Sequence, residues 1–280
     1  MITRIHDFRS MVDHLAMNVC GTRVAVVCPE DEHTRAVVER FEREGLGTIL
    51  PFTGEPKEAA MAAVKAVRNG EADVLMKGLV STDVLLRAIL DKQHGLLLPG
   101  AVMSHVAVCE IPDYYKLLVC TDVAVIPRPT LKQFDAMLLS ALDLSRKLQP
   151  DTPRVALIHC NEHVSEKFPV TLDYRQLMAR AEEGAYGAVV VDGPMDVKTA
   201  CDAESARIKG MDGAVAGSAD IAVFPDIEAG NTFYKTITHF AHARTACMLT
   251  GTMAPVVLPS RSDSAACKFY SLALACLARG

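Results

Sequence analysis

Tryptophan is absent from this chain of 280 residues, and aromatic residues make up only 5% of it. The core must then be aliphatic, the usual filling of a parallel sheet buried on both faces. No stretch approaches the ~20 apolar residues that a membrane helix needs, so a membrane-spanning chain is not expected. Lys and Arg form no run and the formal net charge is −5. A nucleic-acid partner, which asks for a basic face, is disfavoured as well.

A C-x-x-C pair is also missing. The nine Cys stand at 20, 28, 109, 120, 160, 201, 247, 267 and 276, an odd number without regular spacing. Most lie in apolar runs such as Ala107-Val108-Cys109, where a thiol behaves as a small hydrophobe. That pattern suits a reducing compartment rather than a disulfide scaffold. Met1–Asp7 has no apolar segment of the signal-peptide kind, so cytoplasmic residence is expected.

Three signatures of nucleotide and acyl chemistry are lacking: G-x-G-x-x-G after a strand, G-x-x-x-x-G-K-[ST], and G-x-S-x-G. Usual dinucleotide oxidoreductases, P-loop enzymes and α/β-hydrolases therefore lose ground, and any phosphate must be met by arginines and helix ends. His159-Cys160-Asn161-Glu162-His163 holds metal-capable groups, but in the order of neither H-E-x-x-H nor a zinc ribbon. No metal site is expected. His239 and His242 read as a satisfied or exposed pair on a helix.

What is present is a repeating alternation of apolar runs and amphipathic segments. Half the residues are hydrophobic and 22% are charged, enough for a well-filled core. Strands are predicted at 22–28, 72–76, 102–110, 116–126, 154–159, 187–192, 220–224 and 256–258. Helices are predicted at 31–44, 57–69 (Met61, Val64 and Val67 inward), 81–90, 130–147, 172–183, 197–209, 229–243 and 263–277. Ser81 or Thr82 can cap the third helix, and Thr130 the fourth. Such alternation implies an α/β fold whose mainly parallel sheet carries helices on its faces. A domain crossing is expected near the Pro-rich 150–153 or at 127–130.

Ligands of parallel sheets gather at the carboxyl ends of strands. Three polar clusters sit there. Pro259-Ser260-Arg261-Ser262-Asp263-Ser264 offers an arginine, hydroxyls and a carboxylate at a helix start, a place that favours anions. Arg261 can grip phosphate bidentately. The bland alternative is a Ser or Asp cap beside a surface arginine. In Pro225-Asp226-Ile227-Glu228-Ala229-Gly230-Asn231, the carboxylates of Asp226 and Glu228 suit proton transfer, or merely complement a helix dipole. Lys77-Gly78, followed by Thr82 and by Arg87 on the next helix, can set a cation over an anion. Equally, Lys77 can simply end a strand and Arg87 face solvent.

Together these segments resemble the phosphate acetyl/butyryltransferase family, nearest to its short butyryltransferase branch. The resemblance lies in Ala222-Val-Phe-Pro-Asp-Ile-Glu-Ala-Gly-Asn231 and Leu258-Pro-Ser-Arg-Ser-Asp-Ser264. Supporting segments, in matching order from about residue 70 onward, are Asp73–Gly78, Ser104–Val108, Thr121–Pro127, Val191–Met195 and Glu204–Arg207.

The resemblance implies a two-lobed, three-layer α/β/α fold of the isocitrate and isopropylmalate dehydrogenase kind. One lobe would comprise 1–129 and 251–280 and the other 130–250, with the site in the cleft between them. It implies transfer of a short acyl group, butyryl or acetyl, between coenzyme A and inorganic phosphate in a ternary complex. It further implies a homo-oligomer with no tightly bound cofactor and no metal. Ser260 and Arg261 match a pair that handles the thioester and phosphate, and Arg87 matches a helix arginine of the substrate site. The acetyl branch uses an aspartate seven residues after the serine as a base. Here that position is Cys267, which leaves Asp263, Asp226 and Glu228 as carboxylates for the role. Two readings stand beside this one: a non-catalytic acyl-CoA-binding relative, and a metal-dependent NAD(P) β-decarboxylating dehydrogenase.

Overall fold

The computed structural model of the chain describes residues 4–18, 21–260 and 263–279. The chain groups into two compact units, one of Ile5–Met103 with Arg244–Gly280 and one of Met1–Arg4 with Ser104–Ala243.

The first unit contains α1 (Phe8–Asn18), β1 (Arg23–Val27), α2 (Glu32–Arg43), β2 (Thr48–Phe52), α3 (Pro56–Arg68), β3 (Val74–Lys77) and α4 (Thr82–Ile89). The second holds β4 (Ser104–Glu110), β5 (Leu118–Thr121), α5 (Leu131–Leu148), β6 (Arg154–Ile158), α6 (Val170–Glu182), β7 (Val190–Met195), α7 (Val197–Cys201), α8 (Ala203–Ile208), β8 (Ile221–Val223) and α9 (Ile227–Phe240). The chain then returns to the first unit with β9 (Arg244–Thr250), β10 (Val256–Val257) and α10 (Ala265–Arg279).

In the first unit the strand order is β2-β1-β3-β10-β9, parallel except for β9. Val24 pairs with Ile49 and Val74, and Val257 with Met76. The connection through α2 moves one way across the sheet and that through α3 the other. Because parallel crossovers are right-handed, these helices must cover opposite faces. Accordingly α2 packs with α10, and α3 with α4. Val24–Val27 and Val74–Met76 are buried between the two helical layers, which is why they read as unbroken apolar runs.

The second unit has the order β4-β5-β8-β6-β7, with only the β4–β5 pair antiparallel. Val119 and Val155 flank Ile221 in the middle of that sheet. Thr130 caps α5 through a capping box with Gln133, and Phe134, Met137, Leu138, Ala141 and Leu144 face the core.

Several elements depart from the sequence expectation for identifiable reasons. β2 escapes the pattern because it is an edge strand, where Pro51 costs no ladder bond and none of the five residues is fully buried. α1 and β9 are likewise additions. The expected strand 116–126 stops at Thr121. The helix expected over 197–209 breaks at Asp202, whose N–H ends α7 on the Lys198 carbonyl while its carboxylate caps α8 at Ser205. Met61 is exposed, because α3 packs through Ala59, Ala60, Ala63, Val64, Ala66 and Val67.

Candidate active site

The parallel strands β2, β1, β3 and β10 send their carboxyl ends to one edge of the first unit's sheet. β3 ends at Lys77, and β10 lies beside it with Val257 opposite Met76. Leu258-Pro259-Ser260 therefore leaves the sheet next to Lys77-Gly78. Two clusters far apart in sequence meet at this edge.

Gly78 is required by close approach. Its N–H donates to the Val27 carbonyl at 2.8 Å and the Leu79 N–H to the Cys28 carbonyl at 2.6 Å. A Cβ on Gly78 would stand 2.3 Å from the Cys28 oxygen. Lys77 is buried, 7% exposed, with Nζ 3.4 Å from the Gly78 carbonyl. The cap of α4 is Ser81, whose Oγ accepts the Val84 N–H. Thr82 and Arg87 are exposed on that helix.

On the neighbouring strand, Ser260 is exposed and donates its N–H to Asp263 Oδ2 at 2.7 Å. Ser264 Oγ accepts the Cys267 N–H at 3.1 Å and so caps α10. Arg261 and Ser262 lie outside the described residues. Cys267 is half-buried, with its thiol 3.5 Å from Thr245 Oγ1 on β9.

The helix ends at this edge are not alike. α2 is capped by the Asp31 carboxylate and α3 by that of Glu55. α4 and α10, which follow the adjacent strands β3 and β10, are capped by the neutral hydroxyls of Ser81 and Ser264. Asp83 in the first turn of α4 and Asp263 just before the cap of α10 offset part of those positive ends, while the buried Lys77 at the end of β3 adds a cation. Free backbone N–H groups at the two helix starts can still receive an anion.

The second expected cluster is in the other unit, at the carboxyl end of β8. Asp226 Oδ1 accepts the Ala229 N–H at 2.8 Å and caps α9, while Glu228 is exposed in its first turn. Gly230 is buried, and a Cβ there would lie 2.2 Å from the Asp122 carbonyl oxygen. Asn231 Nδ2 donates to the Val123 carbonyl at 2.9 Å. Gly230 and Asn231 thus dock α9 onto backbone. That backbone is held in turn by the buried Asp122 carboxylate, which accepts the N–H groups of His105 at 2.8 Å, Ala124 at 2.7 Å and Val125 at 2.8 Å. His159 packs edge-on against Phe168 at 4.8 Å. Among the described residues no cluster of three or more His, Cys, Asp or Glu side chains could hold a metal.

Sequence reasoning passed over Lys268 and Asp122, whereas the Ser cap it weighed as the bland alternative in the 259–264 run is present as Ser264. Lys268 is 7% exposed and stands in the apolar helix α10. A lysine leading Phe269-Tyr-Ser-Leu-Ala-Leu-Ala-Cys-Leu277 was the available signal. For Asp122, the signal was a carboxylate directly after the buried run Leu118–Thr121.

The sequence model of the family described as "Phosphate acetyl/butaryl transferase" matches residues 14–276. The chain is 42% identical over 224 residues to a phosphate butyryltransferase of Clostridium acetobutylicum, covering 80% of this chain and 74% of that one. It is 38% identical over 246 residues to a phosphate acetyltransferase of Thermotoga maritima, covering 88% and 83%. Among solved structures, a branched-chain phosphotransacylase from Enterococcus faecalis V583 superposes with a TM-score of 0.82 at 28% identity, over 92% of this chain and 99% of that one.

Proposed function

Since the chain belongs to the phosphate acetyl/butyryltransferase family and is a phosphate acyltransferase, we propose that it moves a short acyl group between coenzyme A and inorganic phosphate by direct attack in a ternary complex. Butyryl and acetyl are the acyl groups named by its relatives.

In this reading a phosphate oxygen attacks the thioester carbonyl, the C–S bond breaks, and coenzyme A leaves as a thiolate that takes up a proton. Both substrates are anionic, so holding them in attack geometry is the main task. Arg261 grips the phosphate, with Lys77 and the positive ends of α4 and α10 offsetting charge repulsion. Ser260 Oγ donates to the oxyanion that develops on the carbonyl. Asp263 holds the Ser260 backbone. In the reverse direction a carboxylate takes the thiol proton, and Asp263, Asp226 and Glu228 are the candidates, since Cys267 stands where the acetyl branch has its aspartate. Gly78 and Thr82 shape the edge, and Arg87 meets the outer part of the substrate. The observation that most supports this reading is that Leu258-Pro259-Ser260 leaves the sheet beside Lys77-Gly78, at the ends of the adjacent strands β10 and β3.

Cytoplasmic residence, a homo-oligomer and the lack of a tightly bound cofactor complete the proposal. Among the described residues no helix is long and apolar enough to cross a membrane.

The test is thiol release from a panel of acetyl-, propionyl-, butyryl- and branched acyl-CoA, with and without phosphate. Phosphate-dependent release is expected, fastest with one short acyl chain. Acyl-CoA binding without any release would overturn the reading.

A further inference from the structure

Cys267, in the first turn of α10, stands seven residues after Ser260, where the resemblance to the acetyl branch places an aspartate. Its side chain meets the sheet. The thiol lies 3.5 Å from the hydroxyl of Thr245, a residue of β9 that is only 4% exposed. At that separation a thiol and a hydroxyl form a weak hydrogen bond, and each is able to donate it. One turn further along α10, the buried Ser271 Oγ accepts the Cys247 N–H of β9 at 2.8 Å. Cys267 and Ser271, four apart, share one face of the helix. That face is tied to β9 at two points, which fixes how far α10 can slide along the strand.

β9 runs antiparallel to β10, so its start lies at the edge where β10 leads into Leu258-Pro259-Ser260. From Cys267 the restraint passes back along the chain. The Cys267 N–H donates to Ser264 Oγ at 3.1 Å. Asp263, next to Ser264, exchanges hydrogen bonds with Ser260 at 2.7 and 3.2 Å. The start of α10 is thus linked from β9 to Ser260, and the contact between Cys267 and Thr245 is the tie nearer the edge. A thiol suits this half-buried place, because it packs as a small hydrophobe. An ionised carboxylate set against the buried Thr245 would lose water on that side.

We propose that Cys267 is a positioning residue for Ser260: its contact with Thr245 sets the start of α10, and with it the place of Ser260, and it carries no proton in the reaction. The proposal rests on the acyl-transfer reading for the task of Ser260.

Cys267→Ala, Cys267→Ser, Cys267→Asp and Thr245→Val in the full chain test it. Cys267→Ala should lower kcat about threefold to tenfold, the scale of one lost hydrogen bond, with the KM for phosphate and the shape of the pH–rate profile unchanged. Thr245→Val removes the same contact from the other side and should cause the same loss. The double variant should lose no more than either single one. Cys267→Ser should recover most of the rate, since its hydroxyl can meet Thr245. Cys267→Asp should be slower than Cys267→Ala. Hydrogen exchange followed by mass spectrometry reads the positioning without any assay. Amides of 263–268 should exchange faster in Cys267→Ala and Thr245→Val, and near the wild-type rate in Cys267→Ser. Wild-type kcat or unchanged exchange in Cys267→Ala would overturn the proposal. A lost limb of its pH–rate profile, or a Cys267→Asp faster than wild type, would make position 267 a proton carrier and overturn it equally. If Thr245→Val does not fold, Cys267→Ala against Cys267→Ser decides alone. Should wild type release no thiol with phosphate, the acyl-transfer reading fails, while the exchange rates still judge the tie to β9.

Discussion

The Asp263 carboxylate accepts the backbone N–H of Ser260 at 2.7 Å, and the Ser260 carbonyl accepts the N–H of Asp263 at 3.2 Å. This reciprocal pair holds Ser260 against the residue just before the cap of α10. It gives Asp263 a task other than proton transfer, and the two tasks separate on substitution. Asparagine keeps an oxygen that can accept the Ser260 N–H but cannot take a proton from a thiol. We expect Asp263→Asn to stay within about threefold of wild-type kcat and Asp263→Ala to fall about tenfold or more, the penalty of a misplaced neighbour. Steady-state rates in both directions check this. An equal collapse of both variants would make Asp263 the base.

Gly230 meets the Asp122 carbonyl so closely that no Cβ fits, the separation being 2.2 Å. The contact is to backbone, and that backbone is pinned by the Asp122 carboxylate, so it has little room to yield. Gly230→Ala should therefore cost about 1–3 kcal/mol as an overpacking change. Urea unfolding, followed together with the m-value, measures it.

Much of the fold was legible because helices sit on both faces of the sheets. Val74–Met76 and Leu118–Cys120 are buried on both sides and read as continuous apolar runs. The caps Thr130 and Asp226 announce α5 and α9 by local chemistry alone. β2 was illegible since an edge strand tolerates Pro51 and leaves every one of its residues partly exposed. The break at Asp202 was hidden because apolar spacing continues through it. For the site, the three polar clusters were visible as strand-end segments. That β10 lies beside β3 is a long-range pairing, and nothing local encodes it. The burial of Lys268 has the same origin, since a lysine near a helix start normally reads as solvated.

Asp196 gives a pH signature to the edge of the second unit. Partial burial raises its carboxyl, but hydrogen bonds from Lys209 and from Thr199 outweigh this and hold it at about 2, below an ordinary 3.8. A carboxyl depressed in the folded state contributes stability above its unfolded value and loses it as pH falls through its folded value. The contribution should thus be full above about pH 4 and fade toward pH 2. Lys209, which also binds Glu162, carries the leading favourable interaction. Lys209→Met should lower the unfolding midpoint modestly at neutral pH, by an amount that shrinks as pH falls from about 4 toward 2, where the two proteins converge. Thermal unfolding followed by far-UV circular dichroism at a series of pH values tests it, and a difference in midpoint that stayed constant down to about pH 2 would rule it out.

Gly78 joins fold and chemistry most directly. A Cβ there would lie 2.3 Å from the Cys28 oxygen and 2.6 Å from that of Val27, both backbone atoms of β1 and its end. Cys28 has little freedom to retreat, because its N–H is bonded to Phe52 at 2.8 Å and its carbonyl to Leu79 at 2.6 Å. The strain must then fall on the segment from Lys77 to Ser81, which would swing away from β1 and take the Lys77 ammonium and the start of α4 with it. Gly78→Ala should cost about 1–3 kcal/mol in stability. Since shifts near 1 Å at a positioned group cost up to about a hundredfold in rate, the loss of kcat/KM should exceed what the stability change explains. Assays well below the unfolding midpoint, on protein shown to be folded, isolate that excess. If the folded variant kept wild-type phosphate kinetics, the Lys77–Gly78 segment would lie outside the phosphate site, and the role given to the edge of β3 and β10 would pass to β10 alone.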